Sequence, residues 1–116
     1  MKYVKKFKNA LAGIYHALRC DKGFQFDLWF GLFTISPLVY FCFPLSILET
    51  SFLTLSYTII LITELQNSAF ETALDRLHPD QNYMIGHSKD MASSSVLLAG
   101  FFYGLVVLSI ILTRII

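Results

Sequence analysis

Three long apolar stretches dominate the sequence. Residues 28–48 and 91–113 contain no charged side chain, and residues 50–70 contain only one, Glu64. At a rise of about 1.5 Å per residue, each stretch would cover roughly 30 Å as a helix, which matches the hydrocarbon core of a bilayer. The pattern therefore predicts three transmembrane helices. A small soluble bundle is the alternative, but its outer faces would need polar side chains that 91–113 does not offer.

The first 22 residues follow a different pattern, in which basic residues alternate with apolar ones. The apolar positions recur at the spacing of one helix face: Val4, Phe7, Leu11, Ile14 and Leu18. This arrangement predicts an amphipathic helix over residues 1–22 that lies at the membrane interface. Because most of the basic residues precede the first span, the positive-inside rule places the N-terminus in the cytoplasm and the C-terminus on the far side.

Two further features concern helix shape and packing. Pro37 lies inside the first apolar stretch and is expected to kink its helix. Gly100 and Gly104 form a GxxxG motif in the third stretch, which is typical of close helix packing. The motif therefore argues for tight helix contacts, either within this chain or between chains.

The composition excludes several classes of function. Of 116 residues, 55% are hydrophobic and 15% are charged, which rules out a soluble globular enzyme. The net charge of +1 provides no positive field for nucleic acid, so no nucleic-acid partner is expected. Cys20 and Cys42 fit neither a disulfide framework nor a zinc motif and are expected to be free thiols. Nothing divides the chain, so we expect a single domain over residues 1–116.

A stripe of polar side chains crosses the second apolar stretch and continues beyond it. Its members lie within about 80° of one another on a helix: Glu64, Asn67, Glu71 and Asp75. A charged side chain in the bilayer costs about 2.5 kcal/mol or more, so it is retained where it is paired or useful. A structural ion-pair network with downstream basic residues is one interpretation. We favour a functional role for Glu64, because no basic residue near it in sequence could neutralise it at its depth.

Further polar residues are predicted to lie at the same membrane face. Lys89 comes just before the third apolar stretch, on the same side as Glu71, and could anchor the helix or meet a phosphate. Asp21 adds a carboxylate at the cytoplasmic end of the first stretch, and carboxylate oxygens suit a hard cation such as Mg²⁺. The sequence contains no Walker loop, glycine-rich dinucleotide motif or Ser/His/Asp triad. A nucleotide would therefore have to be bound by a site without these motifs.

Two segments of the sequence carry a specific resemblance. The run from Glu64 to Arg76 reads ELQNSAFETALDR, and Lys89 begins a second run, KDMASSSVLLA. Together they closely resemble the signature of the small prokaryotic diacylglycerol kinases, E-x-x-N-[ST]-A-x-E-x-x-x-D and, after a loop, A-K-D-x-x-[SA]-x-x-V-L. Several polar positions at fixed spacing within membrane helices make the resemblance specific. It covers nearly the whole chain and is weakest before residue 20.

The resemblance implies an all-α homotrimer in the bacterial cytoplasmic (inner) membrane, with its active site on the cytoplasmic side. Such an enzyme transfers the γ-phosphoryl group of MgATP to the hydroxyl of diacylglycerol, giving phosphatidate, with sites shared between subunits. The family pattern assigns the following roles: Glu64 as the proton acceptor, Glu64 and Ser94 as lipid-binding residues, Asp21 and Glu71 as Mg²⁺ ligands, and Asn67, Asp80, Lys89 and Asp90 as ATP-binding residues. The family usually has Glu at position 21, so the shorter Asp would need a closer approach of the first helix or an intervening water.

The depth of the acidic residues agrees with this chemistry. Glu64 lies about two turns, roughly 10 Å along the helix axis, deeper than Glu71. A lipid hydroxyl would therefore reach Glu64, whereas Mg²⁺ and ATP would meet Glu71 and Asp21 nearer to the surface. A water-soluble substrate and a lipid substrate would meet at the interface.

Two other functions remain open at this point. An undecaprenol kinase of the same family would share the fold and the chemistry but phosphorylate a polyprenol. We favour the diacylglycerol enzyme because the Asn67-Ser68-Ala69 and Asp75-Arg76 segments resemble it more closely. A non-enzymatic membrane subunit, either a helical scaffold or a small proton-translocating protein, would instead show no lipid phosphorylation.

Overall fold

The computed structural model describes residues 1–80 and 82–116, which form four helices joined by short connections. In chain order they are α1 (Lys2–Cys20), α2 (Lys22–Cys42), α3 (Ile47–Leu77) and α4 (Tyr83–Ile115). No strand is present in the described residues. The predicted all-α fold class is confirmed.

The helices α3 and α4 form the most extensive pair, and α2 packs against both. α3 and α4 are antiparallel: Glu49, in the first turn of α3, contacts Arg114 in the last turn of α4. The buried core lies along these interfaces and consists of Leu38, Cys42, Leu53, Ile60, Ala99, Tyr103, Val106 and Ile110. α1 lies outside this core and contacts α2.

The first apolar stretch does not form one helix as far as residue 48. α2 ends at Cys42, because Phe43 is extended and precedes Pro44, which disfavours helical geometry in the residue before it. A new helix begins after Ser46. The Ser46 hydroxyl accepts a hydrogen bond from the Glu49 amide (3.0 Å), and the Glu49 carboxylate accepts one from the Ser46 amide (2.9 Å). This capping box explains why the helix boundary falls inside an uncharged run.

α3 and α4 are longer at both ends than the apolar stretches 50–70 and 91–113. α3 continues to Leu77, so the whole polar stripe lies on one helix. α4 begins at Tyr83, after Asn82, whose Oδ1 accepts a hydrogen bond from the Ile85 amide (2.9 Å).

Among the described residues, α3 and α4 are the helices long and apolar enough to cross a membrane. α2 does not belong to this pair, because its first two turns contain several polar residues. The structure thus shows two membrane-capable helices where the sequence predicts three spans.

Two surfaces among the described residues are apolar and largely exposed. The predicted apolar face of α1 is exposed along its length: Val4, Phe7, Leu11, Ile14 and Leu18. A Cβ added to Gly100 or Gly104 on α4 would meet no described atom within 4 Å. Among the described residues the GxxxG face therefore makes no close helix contact, and it is open to lipid or to another chain.

A close contact brings α2 and α3 together near their middle. The Tyr57 hydroxyl on α3 donates a hydrogen bond to the carbonyl oxygen of Asp27 on α2 (2.8 Å). Its ring lies over Gly31, where any added Cβ would overlap the phenol. The hydroxyls of Thr34 and Tyr103, 2.6 Å apart, then join α2 to α4. These contacts determine how closely α2 approaches α3 at the site described next.

Candidate active site

A groove of about 780 Å³ opens between α1 and α3 and is bordered by the turn that joins α1 to α2. Small side chains line it from both helices: Ala10, Gly13, Ala17, Ala69 and Ala73. The titratable residues that line it are His16, Cys20, Asp21, Lys22, Glu71, Asp75 and Arg76. Small side chains leave space between the helices, and a volume of this size is typical of small-molecule sites.

The two predicted metal ligands, Asp21 and Glu71, line this same groove. Asp21 is held in place as the N-cap of α2, because its Oδ1 accepts hydrogen bonds from the amides of Gly23 (3.0 Å) and Phe24 (3.4 Å). Glu71 projects from α3 and is exposed. The structure therefore brings both carboxylates to one cavity. The capping role of Asp21 was not part of the sequence interpretation, although Asp before an apolar helix is a typical N-cap signal.

The donor set fits a divalent cation that shares its coordination with a substrate. Mg²⁺ is commonly held by one or two protein carboxylates together with water and phosphate oxygens. Among residues 1–80 and 82–116, no three His, Cys, Asp or Glu side chains are grouped closely enough to hold an ion by themselves. Asp21 and Glu71 are thus suited to an open site and not to a closed structural one.

Glu64 is partly buried and faces α2 at Gly23. A Cβ on Gly23 would overlap Oε1 of Glu64 and would lie 3.0 Å from its Cδ and 3.4 Å from Oδ1 of Asp21. The Ser68 hydroxyl donates a long hydrogen bond to Oε1 (3.5 Å). Only glycine at position 23 allows the Glu64 carboxylate to occupy this place, close to the turn that carries Asp21.

Asp27 is a carboxylate of this region that the sequence interpretation missed. It follows Gly23 by one helical turn, so its side chain lies on the face of α2 that meets Glu64. Asp27 is only 9% exposed, and its Oδ2 has no hydrogen-bond partner among the described residues. A buried carboxylate oxygen without a donor is rare and indicates that a donor from elsewhere is expected there.

The polar side chains of α3 face two different surfaces, the groove beside α1 and the contact with α2. Glu71 and Asp75 line the groove beside α1, whereas Glu64 faces α2. Asn67 lies between them, is partly buried and does not belong to the groove lining. Helical spacing thus placed these residues correctly on one side of α3, but it did not show that two different helices meet them.

The residues predicted to bind ATP and lipid from the loop and α4 do not line the groove of their own chain, although Lys89 contacts Asp75 at its edge. Lys89 forms an ion pair with Asp75, as the structural interpretation of the stripe allowed. Asp80 and Asp90 are exposed, and the Ser94 hydroxyl donates a hydrogen bond to the Asp90 carbonyl oxygen (2.9 Å). One chain by itself therefore brings together the metal-ligand pair but not these four residues.

Comparison with known proteins matches nearly the entire chain, including every residue of the candidate site. Residues 8–111 match the family model described as prokaryotic diacylglycerol kinase. A relative from Haemophilus influenzae, named diacylglycerol kinase, is 29% identical over 103 residues, which cover 89% of this chain and 86% of the relative. The chain therefore belongs to the prokaryotic diacylglycerol kinase family.

Proposed function

We propose that this protein transfers the γ-phosphoryl group of ATP to the hydroxyl of diacylglycerol and forms phosphatidate. The observation that carries the proposal is the arrangement of three carboxylates. Asp21 and Glu71 line an open groove, and the Glu64 carboxylate lies beside Gly23, close to the turn that carries Asp21. This arrangement would bring a lipid hydroxyl at Glu64 next to a nucleotide held at Asp21 and Glu71, and family membership supports the same reaction.

Asp21 and Glu71 would hold Mg²⁺ together with the phosphates of ATP. When bound, Mg²⁺ neutralises charge on the transferring phosphoryl group. The amides of Gly23 and Phe24 keep the Asp21 carboxylate in one orientation, while Glu71 approaches from a different helix. The fold would thereby present two carboxylates from different helices to the same bound ion.

Glu64 would accept the proton of the lipid hydroxyl. Its carboxylate lies beside Gly23, partly shielded from water, and a base is effective when it is held within reach of the proton it removes. Asp27 lies on the adjacent face of α2, and its Oδ2 has no donor among the described residues. Asn67, one turn nearer to the groove, is proposed to contact ATP.

The proposed contacts of Lys89, Asp90 and Asp80 with ATP, and of Ser94 with lipid, rest on the family resemblance. Lys89 pairs with Asp75, which lines the groove, so its ammonium lies at the edge of the groove of its own chain. To bind a nucleotide, Lys89 would have to leave Asp75 or reach the groove of a neighbouring subunit. The second arrangement agrees with a homotrimer that shares its sites between subunits, and we include it in the proposal.

The proposed membrane arrangement has α2, α3 and α4 crossing the bacterial inner membrane and α1 lying at its cytoplasmic surface. The Asp21 turn and the end of α3 lie at one end of the bundle, and Arg114 lies at the other. The groove would therefore face the cytoplasm, where ATP is present, and the C-terminus would lie outside.

The reaction can be tested with purified protein in detergent micelles. ATP, Mg²⁺ and diacylglycerol should yield phosphatidate, and chelation of the metal with EDTA should stop the reaction until Mg²⁺ is restored. Undecaprenol in a parallel assay tests the related polyprenol kinase. Undecaprenyl phosphate without phosphatidate would replace the diacylglycerol assignment, and folded protein that yields neither product would favour a non-enzymatic subunit.

A further inference from the structure

Lys22 is an exposed cation at a helix terminus that does not favour it. It is the first residue of α2, directly after the N-cap, where the partial positive charge of a helix N-terminus disfavours lysine. Its side chain is exposed, and it forms no ion pair with any residue in the described part of the chain. A lysine placed here gains nothing from the dipole of its own helix and lies unpaired in the groove lining, where it is available to a ligand.

The surroundings of Lys22 indicate the chemistry of that partner. Lys22 lines the groove together with the carboxylates of Asp21 and Glu71, and Arg76 adds a second cation from α3. Two carboxylates alone would suit a cation, and two basic side chains alone would suit an anion. Both kinds of charge around one cavity suit a divalent cation bound to a polyphosphate, since the metal meets the acids and the phosphate oxygens meet the bases.

Lys22 is more informative than Arg76 for this argument. Arg76 lies in the last turn of α3, where the helix dipole favours a basic residue, so its place is explained without a ligand. Lys89, to which the family resemblance assigns a nucleotide contact, is paired with Asp75 and does not line the groove. Among these three basic residues, Lys22 alone lines the groove at a place that its own helix does not favour.

We propose that Lys22 binds the phosphate groups of the nucleotide in the groove of its own chain, an inference that rests on the proposed kinase function. Its ammonium carries three donors on a flexible stem and can follow phosphate oxygens along the cavity. Hydrogen bonds between an ammonium and phosphate are charge-assisted and stronger than neutral ones. Lys22 would thus complete, within one subunit, a nucleotide-binding site whose proposed metal ligands are Asp21 and Glu71.

The test is equilibrium binding of MgATP to the full-length protein in micelles, with three variants. Lys22→Gln should weaken MgATP binding about tenfold, because a hydrogen bond to a charged group is lost. Lys22→Arg should retain most of the affinity, because it keeps the charge. Lys6→Gln is the matched control: it removes an exposed lysine of α1 that does not line the groove and should leave binding unchanged.

Competition experiments identify which part of the nucleotide is contacted. The inhibition constant of inorganic triphosphate with Mg²⁺, measured against MgATP, should be much lower for the wild type than for Lys22→Gln. The inhibition constant of adenosine should be the same for both proteins. Wild-type affinity in Lys22→Gln, with lipid phosphorylation intact, would overturn this inference and leave the kinase proposal standing. Absence of MgATP binding in the wild type would overturn both.

Discussion

The two ends of the helical bundle use charge in opposite ways. At one end, the Arg114 guanidinium donates hydrogen bonds to both carboxylate oxygens of Glu49 (2.8 and 2.9 Å) and to the carbonyl oxygens of Cys42 (2.9 Å) and Pro44 (3.1 Å). It thereby joins the ends of α2 and α4 to the start of α3. At the other end, Asp21, Lys22 and Glu71 line an open groove and form no ion pair with any described residue.

The difference separates a structural use of charge from a functional one. The charge of Arg114 is satisfied within the chain, as expected for a residue that holds helices together. Asp21, Lys22 and Glu71 bring acids and a base to one groove without an ion pair among them, and real proteins place such unsatisfied arrangements mainly at functional sites. Substitutions at the groove should therefore alter activity more than stability, and substitutions at the Arg114 end should do the reverse.

The largest expected effect is that of Glu71→Gln. The amide keeps the size of the side chain but removes the negative charge that would bind Mg²⁺, so phosphatidate formation should fall at least about a hundredfold. Glu49→Gln removes an acid from the same helix at the Arg114 end and should keep its turnover. Lipid phosphorylation at saturating ATP and Mg²⁺, measured beside circular dichroism, provides the comparison. Near-wild-type turnover in Glu71→Gln would remove the metal-ligand role.

Position 21 allows capping and metal binding to be separated. Asn is as good an N-cap as Asp, so Asp21→Asn should keep the thermal stability of the protein while losing most Mg²⁺-dependent activity. Asp21→Ala should lose the activity and also about 1 kcal/mol of stability, because the amides of Gly23 and Phe24 lose their acceptor. Thermal unfolding in detergent and the Mg²⁺ dependence of turnover measure the two effects. Equal activity in Asp21→Asn and the wild type would leave Asp21 with a capping role alone.

Substitution of the two glycines of α2 that face α3 should have a smaller effect on activity. At Gly23 an added Cβ meets the end of the flexible Glu64 side chain, which can rotate away, whereas at Gly31 it meets the ring of Tyr57. Gly23→Ala should therefore lower turnover by about tenfold through displacement of the proposed base, with the fold retained. Gly31→Ala should cost about 1–3 kcal/mol of stability through overpacking.

These two substitutions control for each other. Turnover and unfolding temperature are measured for both proteins under the same detergent conditions. If Gly23→Ala kept full turnover, the position of Glu64 beside α2 would not matter for the reaction. If both variants lost stability equally, the distinction between a flexible and a rigid neighbour would fail.

Much of the fold could be predicted because its determinants are local. Apolar stretches and helical spacing were sufficient to predict an all-helical chain and a polar stripe on α3. The end of α2 was misplaced because an uncharged run carries no charge to mark a boundary, although Pro44 and the Ser46-x-x-Glu49 capping pattern were present. Those signals depend on backbone geometry and capping, which hydropathy does not register.

The site was predicted less completely because it depends on which helix faces meet. Spacing and resemblance selected Glu64, Glu71 and Asp21, and the structure places two of them in one groove. The sequence interpretation did not select Asp27 or Lys22, since the observations that draw attention to them follow from the contact of α2 with α3 and from the position of α1. Such contacts between distant segments have no periodic signature within a single helix.

The smallest expected effect concerns pH and the ion pair at the Arg114 end. Hydrogen bonds from Arg114, and then from the Ser46 amide, lower the pKa of Glu49, which lies just outside the stretch 50–70, from its ordinary 4.5 to about 2. A carboxylate with a lowered pKa stabilises the folded state above its unfolded pKa and loses this contribution as pH falls through the folded value. The stability difference between the wild type and Glu49→Gln should thus stay constant near neutral pH and shrink as pH falls below about 4.5. Thermal unfolding in detergent at a series of pH values measures this difference, and a difference that grew on acidification would contradict the assigned ion pair.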